Sequence, residues 1–139
     1  MNEMNEEKII QYLKECNFLG NENLYFYTQI PGSFSDQASV YGMDELNIKY
    51  YIVNKNENGI GIIPFDVTGK SIANLIKFFP MSNIKEIYTE KYKFLIFLSG
   101  TRMIIKTIED KVIELEYFGK ENGNFHAVNM YKLVTQFQK

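Results

Sequence analysis

The stretch KFLIFLSGTRMIIKTIEDKVIELEYF, residues 93–118, decides the fold of this chain. Apolar runs rich in β-branched and aromatic residues alternate in it with very short polar breaks, which is typical of antiparallel strands joined by tight turns. Together with the residues just before it, the stretch predicts four consecutive strands, at residues 84–89, 93–98, 101–108 and 112–118. The second half of the chain is therefore predicted to be an antiparallel meander.

The turns of this meander determine which side chains share a face of the sheet. A two-residue turn is predicted at Ser99 and Gly100, and a three-residue loop at residues 109–111. With these turns Met103 and Leu115 both face the core, whereas a slip of one residue would turn every side chain of the last strand to the other side.

The opposite, outer face of the meander is the candidate functional surface. The register places three apolar and two basic residues on it: Leu95, Phe97, Ile104, Arg102 and Lys106. An apolar patch bordered by charge is typical of a protein interface. Alternatively, a helix covers this face and makes it a second core, and the sequence leaves open whether the N-terminal helix or a helix near 70–79 would do so.

Helices and further strands surround the meander. The other predicted elements are a helix within residues 1–20, strands at 23–30, 48–54 and 60–65, a short helix near 70–79, and a final helix from Asn124. Asn5 and Asn124 are suitable N-caps, and Asn58 with Gly59 indicates a hairpin turn. The helix near 70–79 is predicted from apolar residues at helical spacing that end at Pro80. Residues 33–47 are predicted to form a loop.

The composition limits the chemistry available to the chain. Its 139 residues are 45% hydrophobic and 15% aromatic with a net charge of -2, enough for one domain, residues 1–139, with an apolar core. One Cys and one His exclude an intrachain disulfide and a metal site built on cysteine or histidine pairs. The scattered basic residues disfavour nucleic-acid binding. No apolar run reaches the roughly 20 residues of a transmembrane helix, and the acidic N-terminus is unlike a secretory signal, so a cytoplasmic location is expected.

Individual motifs give no catalytic, cofactor or metal site. Gly69, Lys70 and Ser71 lack the earlier glycine of a phosphate-binding loop and are expected at an ordinary helix start. Cys16 is expected to be a small core residue and His126 a helix residue. The alternative function is a small-ligand-binding or enzymatic domain that uses the 33–47 loop and an adjacent cleft. Its polar candidates are Asp36, Asp44, Glu45 and His126.

The order of elements resembles the bacterial pleckstrin-homology-like (PH-like) domains. The segments that carry the resemblance lie within about residues 48–137 and are residues 61–65, 84–87, 94–99, 102–106, 112–117 and the helix from Asn124. The resemblance implies an α+β fold, an antiparallel sandwich or partly open barrel of about seven strands with a C-terminal capping helix. The helices within 1–20 and near 70–79 are additions to it.

The same resemblance implies a non-catalytic scaffold that binds other proteins or further copies of itself, without a cofactor. Some eukaryotic PH domains hold phosphoinositides with a basic loop. This chain has no counterpart of that loop, so phosphoinositide binding is not expected.

Overall fold

The computed structural model describes residues 5–30, 48–66, 68–95, 98–119 and 124–137, with the backbone only at residues 94, 95, 98 and 99. Its helices and strands, in chain order, are α1 (Glu6–Glu15), β1 (Leu24–Gln29), β2 (Tyr50–Asn56), β3 (Gly59–Phe65), β4 (Lys77–Pro80), β5 (Ile84–Leu95), β6 (Leu98–Thr107), β7 (Val112–Glu116) and α2 (Phe125–Phe137). Two short 3₁₀ turns flank β4.

The strands form two antiparallel sheets. The first sheet has the order β1-β2-β3-β4 and the second the order β5-β6-β7. Every described pairing joins strands that follow one another in the chain, as short connections favour. The fold is thus α+β with seven strands, and its two sheets are not closed into a barrel among the described residues.

The second sheet corrects the predicted meander. Residues 84–95 form one strand rather than two, and Leu95 pairs with Leu98, so the predicted turn at Ser99 and Gly100 is wrong. Gly100 lies inside β6, opposite Tyr92. The sheet therefore has three strands where the sequence predicted four.

The loop between β6 and β7 has the predicted length of three residues, but it begins one residue earlier than predicted. Thr107 N–H donates to the Lys111 carbonyl at 3.0 Å, which encloses residues 108–110 instead of 109–111. Asp110 takes a positive φ of 65°, as the last residue of a three-residue hairpin loop commonly does. The shift leaves the face assignment intact because Met103 still faces inward and pairs with Leu115.

The predicted helix near 70–79 is also wrong. A 3₁₀ turn at Ala73–Leu75 leads into β4, which pairs with β3. Leu75 and Phe79 are buried as the apolar spacing required, at 5% and 8% exposure. The segment thus buries Leu75 and Phe79, leaves Ile72 and Ile76 of the same predicted face partly buried, and extends the first sheet.

The main core lies between the two sheets. Phe26 and Val53 of the first sheet face Met103 and Leu115 of the second across it, and α2 contributes side chains such as Leu133 at one side. The α2 cap is as predicted, because Asn124 Oδ1 accepts the Ala127 N–H at 2.9 Å. The final helix therefore packs against the core, as its apolar stripe predicted.

A second, smaller core lies on the other face of the first sheet. Asn5 caps α1 by accepting the Lys8 N–H at 3.0 Å, and the helix buries Ile9 and Leu13 against Ile63 of β3. These three residues are completely buried. The N-terminal helix therefore covers the first sheet. The sequence had left open whether this helix or one near 70–79 covers the meander instead.

Candidate functional site

The outer face of the second sheet is formed by alternate residues of β5, β6 and β7. The register aligns on this face Glu86, Tyr88, Glu90 and Tyr92 from β5, Gly100, Arg102, Ile104 and Lys106 from β6, and Val112, Glu114 and Glu116 from β7. We call these residues the outer face. The buried residues Ile9 and Leu13 of α1 and Met130, Leu133 and Val134 of α2 belong to the two cores described above.

Arg102 is the centre of the outer face. One guanidinium nitrogen lies 2.9 Å from Glu90 Oε1 and the other 2.7 Å from Glu114 Oε1, so the cation links both edge strands to β6. The side chains of Arg102 and Glu114 are 18% and 12% exposed, and that of Glu90 is 44% exposed. The Arg102–Glu114 pair is consequently better shielded from water than the usual surface ion pair.

Tyr92 crosses the face above a glycine. Its hydroxyl donates to Glu116 Oε2 at 2.7 Å, and the Arg102 guanidinium carbon lies 5.5 Å from the centre of its ring. A Cβ at Gly100 would come within 2.9 Å of the tyrosine oxygen. Gly100 therefore allows the Tyr92 ring to lie close to the backbone of β6. The side chain of any larger residue would obstruct the ring where it extends toward β7.

Ile104 lies beneath this polar layer. It pairs with Tyr88 on one side and Glu114 on the other, and only 3% of it is exposed. The prediction that Ile104 contributes to an exposed apolar patch is therefore wrong. Its surroundings differ from those of Leu13 and Ile63, since it belongs to neither of the two hydrophobic clusters.

The most accessible charges of the face lie on the edge strand β5. Glu86 is 48% exposed and is 3.8 Å from the Lys106 ammonium, which is 33% exposed. Glu86 and Glu90 flank Tyr88 on the same side of the strand, so their backbone positions are about 13 Å apart. The face as a whole carries four carboxylates and two cations, which gives it a net charge of -2.

Three of the five predicted interface residues are described with their side chains. Arg102, Ile104 and Lys106 share the outer face, where they lie opposite Glu90, Tyr88 and Glu86 of β5. The turn predicted at Ser99 and Gly100 would have placed Phe97, Leu95 and Lys93 opposite them. The side chains of Leu95 and Phe97 lie outside the described residues.

The sequence interpretation missed the residues that hold Arg102. Glu90 and Tyr92 were placed in a break between two strands, whereas they belong to a continuous strand. A signal was available, because neither proline nor glycine interrupts the chain between residues 84 and 95. Counting Gly100 as a turn residue concealed it.

The remaining chemically distinctive residues have structural partners. Burial, with a smaller contribution from Glu15, raises the pKa of Cys16, which opposes formation of a reactive thiolate. His126 Nδ1 accepts the Tyr27 N–H at 2.9 Å. Both findings agree with the expectation that Cys16 and His126 serve the fold.

Two carboxylates also bind backbone amides. Asp66 Oδ1 accepts from the Thr68 hydroxyl at 2.6 Å and from the Lys70 N–H at 3.1 Å, and these bonds lower the pKa of Asp66. This turn stands where a helix start was expected. Glu57 accepts the N–H groups of Asn21 and Glu22, and these backbone bonds lower the pKa of Glu57.

The alternative ligand site has little support in the described part of the chain. Asp36, Asp44 and Glu45 lie outside it. A cleft of about 270 Å³ is lined by Glu22, Asn23, Leu24, Lys55, Glu57 and Gln136 and does not include His126. Among the described residues no group of three His, Cys, Asp or Glu side chains could hold a metal ion.

Comparison with known proteins assigns no family. No protein-family model, curated protein or solved structure matches the chain. Of the helices in the described ranges, none is both long and apolar enough to cross a membrane. The outer face must therefore be interpreted from its own geometry.

Proposed function

We propose that this chain is a non-catalytic, PH-like protein-binding domain of the cytoplasm that recognises a partner through the outer face of its second sheet. The proposal is based on one observation, which is that the described helices pack differently against the outer faces of the two sheets. Helix α1 packs on the outer face of the first sheet, and α2 packs into the core between the sheets. Ile9 and Leu13 of α1, and Met130, Leu133 and Val134 of α2, are buried in the two cores and not on the outer face.

The organisation of the outer face supports a role in recognition. Arg102, Glu114 and Tyr92 are fixed by short contacts to one another or to neighbouring strands, so binding a partner would cost little side-chain entropy at these positions. Tyrosine and arginine are also enriched at the centres of protein interfaces. The exposed carboxylates of Glu86 and Glu90 favour a partner that presents basic groups.

Charge reversal at the exposed edge of the face tests the proposal. We expect the double variant Glu86→Lys, Glu90→Lys to remain folded, because the side chains of Glu86 and Glu90 are 48% and 44% exposed. Affinity capture from cells of the source organism, quantified by mass spectrometry, should show loss of bound proteins with this variant. Light scattering across a range of concentrations should detect any dimer formed through the same face.

The matched control carries the same change of charge away from the face. Glu15 at the end of α1 and Glu109 in the β6–β7 loop are both exposed, and we expect Glu15→Lys, Glu109→Lys to retain the partners of the unmodified chain. The proposal fails if the two double variants capture the same proteins in the same amounts and neither differs from the unmodified chain in molar mass.

A further inference from the structure

A second feature, independent of the outer face, joins α2 to the edge of the first sheet. β1 is the first strand of its sheet, and β2 pairs with one of its edges. Along the other edge, Asn129 Nδ2 donates to the Tyr25 carbonyl at 2.7 Å and the Tyr27 N–H donates to His126 Nδ1 at 2.9 Å. Two side chains of one helix thus bind the backbone groups that a neighbouring strand would bind.

The spacing explains how one helix makes both contacts. His126 and Asn129 are three residues apart, so they lie on the same side of α2. Tyr25 and Tyr27 are two residues apart in a strand, so their backbone groups point toward the same edge. Exposed strand edges invite pairing with other chains, and these two bonds occupy part of that edge.

We propose that protonation of His126 releases the first turn of α2 from β1 and exposes this part of the strand edge. The bond from the Tyr27 N–H requires a lone pair on Nδ1, and a protonated imidazole has donors at both nitrogens. Histidine is the side chain whose ordinary titration falls nearest to neutral pH. The Asn129 bond to Tyr25 does not titrate, so the contact weakens at one of its two points.

Among the described residues, the titratable neighbours that border this contact are tyrosines. Tyr27 of β1 lies beside His126, with ring centres 6.2 Å apart, and Tyr50 of β2 and Tyr12 of α1 border Tyr27. Desolvation first, and then these two neighbours, raise the pKa of Tyr27, so it stays neutral. The Glu6 carboxylate of α1 accepts the hydroxyl of the neighbouring Tyr25 at 2.8 Å.

The chain contains one histidine, which makes the test unambiguous. In the isotope-labelled 139-residue chain, NMR follows protonation of His126 between about pH 8 and about pH 5. Hydrogen exchange measured on the same samples, corrected for intrinsic rates, gives the protection of the Tyr27 amide. We expect this protection to fall about five- to tenfold, which corresponds to the loss of one ordinary hydrogen bond. The midpoint of this fall should be the pH at which His126 is half protonated. The Val53 amide in the middle of the sheet should keep its protection.

The variant His126→Gln provides the matched control, because glutamine can accept a hydrogen bond but does not titrate in this range. We expect the pH dependence of Tyr27 protection to disappear in it. The proposal is overturned if His126 becomes protonated while Tyr27 keeps its protection, or if the variant shows the same pH dependence. If the variant does not fold, the unmodified chain provides the test. A difference of more than about one pH unit between the midpoint of His126 protonation and the midpoint of the loss of Tyr27 protection contradicts the proposal.

Discussion

The outer faces of the two sheets bury a central isoleucine by different means. On the first sheet, α1 covers Ile63 with apolar side chains, and the isoleucine is completely buried. On the second sheet, Ile104 is nearly as buried, at 3% exposure, under charged and aromatic side chains of its own and neighbouring strands. Burial of an apolar residue therefore does not reveal whether a helix covers it. The second face also keeps the exposed carboxylates of Glu86 and Glu90.

The largest effect on the free energy of unfolding is expected on the first sheet, where a helix buries the apolar side chains. Replacing Leu13 with Ala removes a fully buried side chain from the α1 interface. We expect the free energy of unfolding to fall by about 2 to 5 kcal/mol, from lost apolar burial and the cavity that remains. Urea titration measures the change. Gln11→Ala, at an exposed position of the same helix, is the control and should change stability by less than about 0.5 kcal/mol.

On the second sheet the largest effect should come from the ion pairs. Arg102→Met keeps much of the side-chain volume but leaves Glu90 and the well-shielded Glu114 without their cation. We expect a loss of about 1 to 3 kcal/mol, between the values for surface and buried pairs, that becomes smaller at high salt. Lys106→Met removes a longer and more exposed contact, so a loss as large as that of Arg102→Met would contradict this account.

The sequence predicted much of this architecture, and its errors have identifiable causes. Both helix caps and the inward direction of Met103 and Leu115 follow from local pattern, and these predictions are confirmed. The β5–β6 turn could not be located because Gly100 has two possible uses, a turn or a close approach. Its use depends on Tyr92, which lies directly opposite in the sheet only if the turn falls between Leu95 and Leu98.

The segment near 70–79 shows a second limit. Leu75 and Phe79 are buried at the spacing of a helix, but a 3₁₀ turn followed by a strand buries the same residues. Pairing with β3 decides between these structures, and that pairing is not visible in the local pattern. The candidate site was affected in the same way, because Arg102, Ile104 and Lys106 share one face as predicted but lie opposite other residues of β5 than the predicted turn required.

A smaller effect should follow from filling the space above Gly100. We expect Gly100→Ala to displace the Tyr92 ring and break its bond to Glu116, at a cost of about 0.5 to 1.5 kcal/mol. Thermal unfolding gives the change. Tyr92→Phe removes the same bond by another route, so combining the two changes should cost less than their sum. Simple additivity would show that the two residues act separately.

The smallest effect concerns acid stability in the first sheet. Backbone hydrogen bonds hold the pKa of Glu57 below its ordinary value of 4.5, so its ionised form is favoured in the folded chain. The stability that this group contributes is present above that value and is lost as the pH falls through the lower, folded value. We expect Glu57→Gln to reduce the acid dependence of unfolding below about pH 4.5. An acid dependence that this variant leaves unchanged would contradict the role assigned to the Asn21 and Glu22 amides.

Carboxyl footprinting tests the central claim most directly, because it measures the outer face itself. Labelling of exposed carboxylates, read by mass spectrometry, should modify Glu86, Glu90 and Glu109 in the isolated chain. On addition of a captured partner, or at concentrations where the chain associates, we predict protection of Glu86 and Glu90 with Glu109 unchanged. Labelling of Glu86 and Glu90 that stays the same in a complex of demonstrated mass would contradict the claim that the outer face binds the partner.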